Sequence, residues 1–433
     1  MKKTLFSCLC LFMLSESYAQ KAKNDIITTD IDHFWEAYDA ILATKDSARQ
    51  YELLQKLYLD KGTDGLKYIR QRRRYTAKDY IDAINKYPAF WKSIRKNTNS
   101  VAKLSPKILK DIARLKEAYP ELQPSPIYFT VGAFRTNGTI SNHNVLIGSE
   151  MALADKSVNA TELPEHLQAF YTTLNPIDDI ALLCTHEYVH TQQKEMTDKL
   201  LYYCLYEGVA EFVSTKVTGK PSYTPAIEFG KKNEARVKAR FEKDMYQIDN
   251  AYNWLWGTNR NELKERDLGY YIGYSICENY YNQAKDKKKA IKEMIELDYN
   301  NEAQMDAFVD QTGFFSRTVK QISEDYEKMR PTVTEVKPAA SGKDLIPAGR
   351  ITVTLTFSEE MDKNFRGFDF GPLGKEHVLL VDKIIGFSED GLSFSFETKL
   401  EPGKQYQSTA TARFRNKDGI MMRPFLIDLT TAK

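Results

Sequence analysis

The sequence predicts a multidomain chain, an α+β unit with a helical N-terminal layer followed by an all-β sandwich, and three changes of pattern predict it. From Asp30 to about Glu121 apolar residues recur at helical spacing, between Ile127 and Ile147 they alternate, and after Pro331 they alternate again over longer runs. With 433 residues, 42% apolar and 12% aromatic, the chain exceeds what one typical domain holds.

The helical layer, assigned to residues 20–124, begins at Asp30 as cap candidate before Phe34, Trp35, Tyr38 and Ile41. The basic run Arg70-Gln71-Arg72-Arg73-Arg74 within it reads as a solvated helix face and receives no function. Pro124-Ser125-Pro126 then breaks the helices, and Ile127, Phe129 and Val131, followed by Asn144–Gly148, read as strands of a small sheet. Asn175 is a cap candidate, Pro176 suits a first helical position, and Asp178 and Asp179 complement the dipole of a helix running to about Met196. A second helix is expected over Leu200–Val217, closed by Gly219 and Pro221, with further helices to about Met329. These make up a central unit over 125–331. Beyond it, Ile351, Val353, Leu355 and Phe357 alternate with threonines, and Leu392, Phe394 and Phe396 with polar residues, so 332–433 is expected to be the β-sandwich.

Lys2 and Lys3 precede the apolar run Leu5–Leu14, and Ser17-Tyr18-Ala19 follows with small residues suited to cleavage, so 1–19 reads as a secretory signal. The expected location is periplasmic or secreted, with no integral membrane segment in the mature chain. Removing Lys2, Lys3 and Glu16 takes two cations and one anion away, and the formal charge falls from +2 to +1. A chain so near neutrality carries no electrostatic footprint for nucleic acid. Cys184, Cys204 and Cys277 stand in apolar helical contexts; buried thiols are expected, with one disulfide left open.

The chemistry concentrates in His186-Glu187-Tyr188-Val189-His190. On a helix the i, i+4 spacing brings both imidazoles to one face, where they can share one Zn²⁺ with Glu187 beside them as general base. Neutral imidazoles suit zinc, and zinc brings the pKa of its water near 7, so a neighbouring carboxylate can take the proton. A third ligand is expected from the next helix, where Glu207 and Glu211 both lie within Glu207-Gly208-Val209-Ala210-Glu211.

H-E-x-x-H followed after sixteen residues by E-G-x-A-E resembles the gluzincin metallopeptidases, and especially the predicted zinc-dependent proteases of the DUF2268 family. The resemblance extends to Ile127–Gly132 and Ile147–Met151 and spans roughly 30–330. It implies a zincin-like fold, one zinc per chain held by His186, His190 and Glu207, Glu211 bonded to a ligand histidine, and Gly208 letting the two helices approach. It also implies an oxyanion-supporting tyrosine in Gly269–Tyr274, with Tyr270 the best match and Tyr271 and Tyr274 left open. The interval between His190 and Glu207 is shorter than in the aminopeptidase branch, so that branch's specificity does not transfer. Tyr252, Trp254 and Trp256 read as core aromatics rather than cleft. Thr356–Asp362, Leu400–Tyr406 and Asp418-Gly419 resemble bacterial Ig-like domains of the SbsA type, implying a cell-surface or protein partner for this module. A peptide substrate is the expectation, with a non-peptide zinc hydrolase and an inactive surface-binding protein as alternatives.

Overall fold

After a two-residue strand at Ile26–Ile27 come the helices that the apolar spacing predicts: α1 Thr29–Leu42, α2 Ser47–Leu54, α3 Asp64–Arg73, α4 Ala77–Lys86, α5 Pro88–Thr98 and α6 Val101–Ala118. The computed structural model describes residues 26–196, 199–257, 261–338 and 345–433; the segment read as an export signal lies outside them. The described residues divide into two units. One runs to Gln193 and includes Val213–Pro221; the other comprises Lys194–Phe212 and Ser222–Lys433.

In the first unit, Phe34 of α1 packs on Trp35, Tyr38, Tyr58 and Trp91, with ring centroids 4.9–6.1 Å apart. Burying each such ring contributes about 1.5–3 kcal/mol. Asp30 does not cap α1, since Thr28 holds that position. The buried Asp30 carboxylate instead accepts from the backbone N–H of Thr63 (2.9 Å) and from its hydroxyl (2.5 Å), which offsets its desolvation.

Strands β1 Ile26–Ile27, β2 Ile127–Thr130, β3 Gly138–Ser141 and β4 Asn144–Gly148 form one sheet in the order β1-β2-β4-β3. β2 pairs in parallel with β1 and β4, and β3 joins β4 antiparallel at the edge. Asn142 and His143 turn this hairpin with φ of 49° and 58°, the left-handed pair that a tight hairpin turn requires. Two short helices follow, α7 Ser149–Ala152 and α8 Glu165–Thr173, and then α9 Ile180–His190.

The helix expected to run from Asn175 to about Met196 is shorter at both ends. Pro176–Asp179 forms a 3-10 turn, and Asn175 Oδ1 accepts from the Lys156 N–H (3.2 Å) rather than capping the helix. At the other end, the N–H of Thr191 is shared between two carbonyls (3.2 and 3.3 Å) and its hydroxyl bonds Tyr188 O (2.7 Å). The turn tightens there, and the polar run Gln192-Gln193-Lys194 offers no apolar residue to continue the buried face.

Helix α10, Leu200–Thr218, crosses the division and is closed by Gly219 at φ 71°, as its sequence predicts. The second unit continues with α11 Pro225–Lys232, α12 Glu234–Asp244, α13 Leu268–Gln283, α14 Lys287–Ile295, α15 Glu302–Gln311 and α16 Val319–Met329. The aromatic segment Tyr252–Trp256 is a π turn. Trp254 is fully buried and donates to Asp244 Oδ2 (3.0 Å), whereas Tyr252 and Trp256 are 61% and 46% exposed. The core reading therefore holds for Trp254 alone.

After Pro331 two four-stranded sheets form, β5-β7-β10-β9 and β6-β12-β11-β8. Their strands are β5 Val333–Lys337, β6 Leu345–Ile346, β7 Gly349–Phe357, β8 Phe368–Phe370, β9 Lys383–Phe387, β10 Ser393–Leu400, β11 Gln405–Ala410 and β12 Phe425–Thr431. Val353, Leu355, Phe394 and Phe396 from one sheet share a hydrophobic core with Tyr406, Ala410, Ile427 and Leu429 from the other. Leu392 lies just before β10 and is 40% exposed, outside that core. Cys184, Cys204 and Cys277 are buried free thiols, so the disulfide left open by the sequence is not formed among them. Among the described residues no helix is long and apolar enough to cross a membrane.

Candidate metal centre

Every residue of α9, from Ile180 to His190, is buried. An apolar run without a polar face makes such a central helix, and it packs against α6, β3 and β4. Polar groups on it must find partners, because burying them unpaired costs several kcal/mol. Tyr188 meets this by accepting the Ser125 N–H (2.7 Å). His186 and His190, one turn apart, stand with ring centroids 4.7 Å apart and Nε2 atoms 3.1 Å apart. His190 Nδ1 lies 2.6 Å from Gln193 Oε1. With Nδ1–H donating to that amide oxygen, the ring is in the tautomer whose Nε2 carries the lone pair that a metal takes.

Glu187 points at the start of β3. A Cβ built on Gly138 would stand 2.6 Å from Glu187 Oε1 and 2.9 Å from its Cγ, so the carboxylate occupies the space that a side chain there would need. The Gly138 carbonyl accepts from Arg73 Nη2 (3.4 Å) and from the Thr136 hydroxyl, which fixes the strand end facing the base.

On α10, Glu207 is half-buried and Glu211 is buried. The expectation that Gly208 lets this helix approach α9 is corrected: its near neighbours belong to α13. A Cβ on Gly208 would meet the Gly273 carbonyl carbon at 2.1 Å, and one on Gly273 would meet the Cys204 carbonyl oxygen at 1.8 Å. The two glycines let α10 and α13 touch backbone to backbone. Burial pushes the Asp267 carboxyl up, Arg266 pulls it down, and the charge of Glu207 adds to the upward push, so Glu207 acts on the start of α13. Tyr270 is half-buried in the first turn there. Tyr271 donates to Glu234 Oε2 (2.9 Å), and Tyr274 packs its ring on Phe212, with centroids 5.3 Å apart.

One ligand atom from each of His186, His190 and Glu207 lies within 4.8 Å of the others. Two nitrogens each about 2.0–2.1 Å from a tetrahedral zinc stand about 3.3 Å apart, close to the observed imidazole spacing. Two imidazole nitrogens and one carboxylate oxygen form a donor set of the kind that would hold zinc.

Residues 149–302 match the family model described as a predicted Zn-dependent protease, DUF2268. That span is narrower than the resemblance read over roughly 30–330, and it holds all three candidate ligands together with Glu187, Glu211 and Tyr270. No curated protein matches the chain. Among solved structures, the N-terminal part of the bacterial S-layer protein SbsC is 15% identical over 52% of this chain and 58% of that one, with a TM-score of 0.19. SbsC domains 1–6 are 14% identical over 62% of this chain and 38% of that one, also at 0.19. The chain thus spans less than two thirds of either structure, and at that TM-score no likeness of fold is read from them.

Gln193 and Gly138 escaped the sequence reading. An isolated glycine opening a strand is a general sign of close backbone approach, and Gly138 carried that sign. Gln193 carried none.

Proposed function

We propose that the chain is an exported zinc metallopeptidase of the gluzincin type that hydrolyses peptide bonds. The observation that carries this reading is the convergence of His186, His190 and Glu207 on one point, with the Glu187 carboxylate one residue from a ligand and seated against Gly138. When bound, zinc supplies Lewis-acid polarisation of the scissile carbonyl and hydroxide at neutral pH. Glu187 takes the proton from the attacking water and delivers it to the leaving amine. The Tyr270 phenol donates to the oxyanion as the carbonyl becomes tetrahedral. Glu211 holds a ligand histidine in orientation, as Gln193 does for His190.

Within the same proposal, residues 1–19 direct export to the periplasm or beyond, 20–124 are the helical part of the catalytic unit, 125–331 its core, and 332–433 an Ig-like sandwich that binds a protein or surface partner. The two sheets sharing one core support the last assignment.

The test is the metal content of the purified mature chain beside its Glu207→Ala variant, with hydrolysis of a mixed peptide library on the same samples. About one zinc per chain, lost in the variant, together with peptide cleavage is the expected result. A parent that binds no zinc overturns the reading, and zinc without cleavage limits it to a metal site.

A further inference from the structure

The loop from β2 to β3 is held by buried side chains at four of its backbone N–H groups. Val131 N–H donates to the Tyr58 hydroxyl (3.1 Å), Gly132 N–H to Glu150 Oε2 (2.8 Å), Phe134 N–H to Glu150 Oε1 (3.1 Å) and Arg135 N–H to the Tyr75 hydroxyl (2.9 Å). Glu150 is fully buried and takes two of the four, one on each oxygen. Past it, Gly148 N–H donates to Asn137 O (3.0 Å), and a Cβ on Gly148 would stand 2.1 Å from Thr136 O, so the loop has no slack before Gly138. Gly138 in turn abuts the Glu187 carboxylate.

We infer that Glu150 is a positioning residue: by latching the β2–β3 loop it fixes Gly138 and so holds Glu187 in place. This rests on the assignment of Glu187 as general base. A neutral carboxyl keeps one good acceptor and turns its second oxygen into a donor, so the latch needs the ionised form. Burial pushes Glu150 up to about 7, with the Gly132 and Phe134 amides pulling it down. The titratable groups that feel its charge are the hydroxyls of Tyr58, Tyr75, Tyr80 and Tyr171, from the elements packed around it. The latch is therefore set as pH rises through about 7.

The test compares parent, Glu150→Gln and Tyr75→Phe by amide hydrogen exchange over 131–141, metal content, and kcat and KM from pH 5.5 to 9. Glu150→Gln is expected to speed exchange roughly tenfold, not only at Gly132 and Phe134 but through Asn137 and Gly138. It should lower kcat by about tenfold or more, leave KM and metal content unchanged, and abolish the acid limb near pH 7 expected of the parent. Tyr75→Phe, which frees Arg135 N–H, should loosen the same loop and gives the answer if the Gln variant does not fold. Unchanged exchange at 136–138 in a folded variant overturns the inference, as does an unchanged kcat and acid limb. A parent that cleaves no peptide overturns the peptidase reading instead, and exchange at 136–138 still decides the role of Glu150.

Discussion

Gly138 and Glu187 share a space that only one side chain can fill: a Cβ on Gly138 would lie 2.6 Å from Glu187 Oε1. The crowded atoms are the far end of a flexible side chain, so Gly138→Ala displaces the carboxylate rather than the backbone. Thermal stability should move by less than about 1 kcal/mol, with zinc retained and kcat down by about tenfold or more. Unchanged turnover in a folded Ala variant would show that Glu187 does not work from this position.

The ligands and the base should separate cleanly by metal content. Glu187→Gln keeps the donor set intact, so it should hold zinc while losing turnover by about a hundredfold or more. His186→Ala, His190→Ala and Glu207→Ala each remove a donor and should lose metal. Gln193→Ala leaves all three donors but frees the His190 ring, and should weaken zinc binding by about 10–100-fold. Metal analysis after dialysis against a chelator series ranks them, and a Gln193→Ala variant that holds zinc as tightly as the parent would remove that residue from the centre.

How much of this was legible in the sequence depends on how local each relationship is. His186, Glu187 and His190 fall within one helical turn, so their spacing alone placed them on one face. The choice of Glu207 over Glu211 came from resemblance, since both stand on the next helix one turn apart and spacing cannot say which carboxylate is the donor. The same blindness misassigned Gly208, whose partner Gly273 is 65 positions away and on α13. The end of α9 was misjudged because a helix buried on all sides shows no periodic stripe to follow. The sheets after Pro331 were legible because one face of each is buried and the other wet, which writes alternation directly into β7 and β10. The Glu150 contacts join residues 16 and 18 positions apart through backbone amides, which no side-chain pattern records.

The close approach of α10 and α13 makes a second set of substitutions informative. A Cβ on Gly273 would press on the Cys204 carbonyl oxygen at 1.8 Å, and backbone cannot swing aside as a carboxylate can. Gly273→Ala should therefore destabilise by about 2 kcal/mol or more and, by shifting α10, weaken zinc binding through Glu207. Chemical denaturation and metal titration of the same variant check both halves. Full stability would mean that the helices are not packed this tightly.

Glu150 also gives a stability prediction with a definite sign. Its carboxyl is pushed by burial from the ordinary 4.5 up to about 7. Between those pH values the folded chain keeps a proton that the unfolded chain has released, so the unfolded state binds fewer protons and stability falls as pH rises. Across that window the loss amounts to about 3 kcal/mol, and it levels off above pH 7. Glu150→Gln cannot titrate, so unfolding free energies of parent and variant, measured in urea at pH 4.5, 5.5, 6.5 and 7.5, should diverge with the parent losing ground at each step. Using the difference between the two chains removes every other group that titrates alike in both. A constant difference would mean that Glu150 is ionised throughout, and the latch would then be set at every pH where the chain is folded. A falling difference would mean that ionising the latch costs stability, which the fold bears where two loop amides and the seat of Glu187 depend on it.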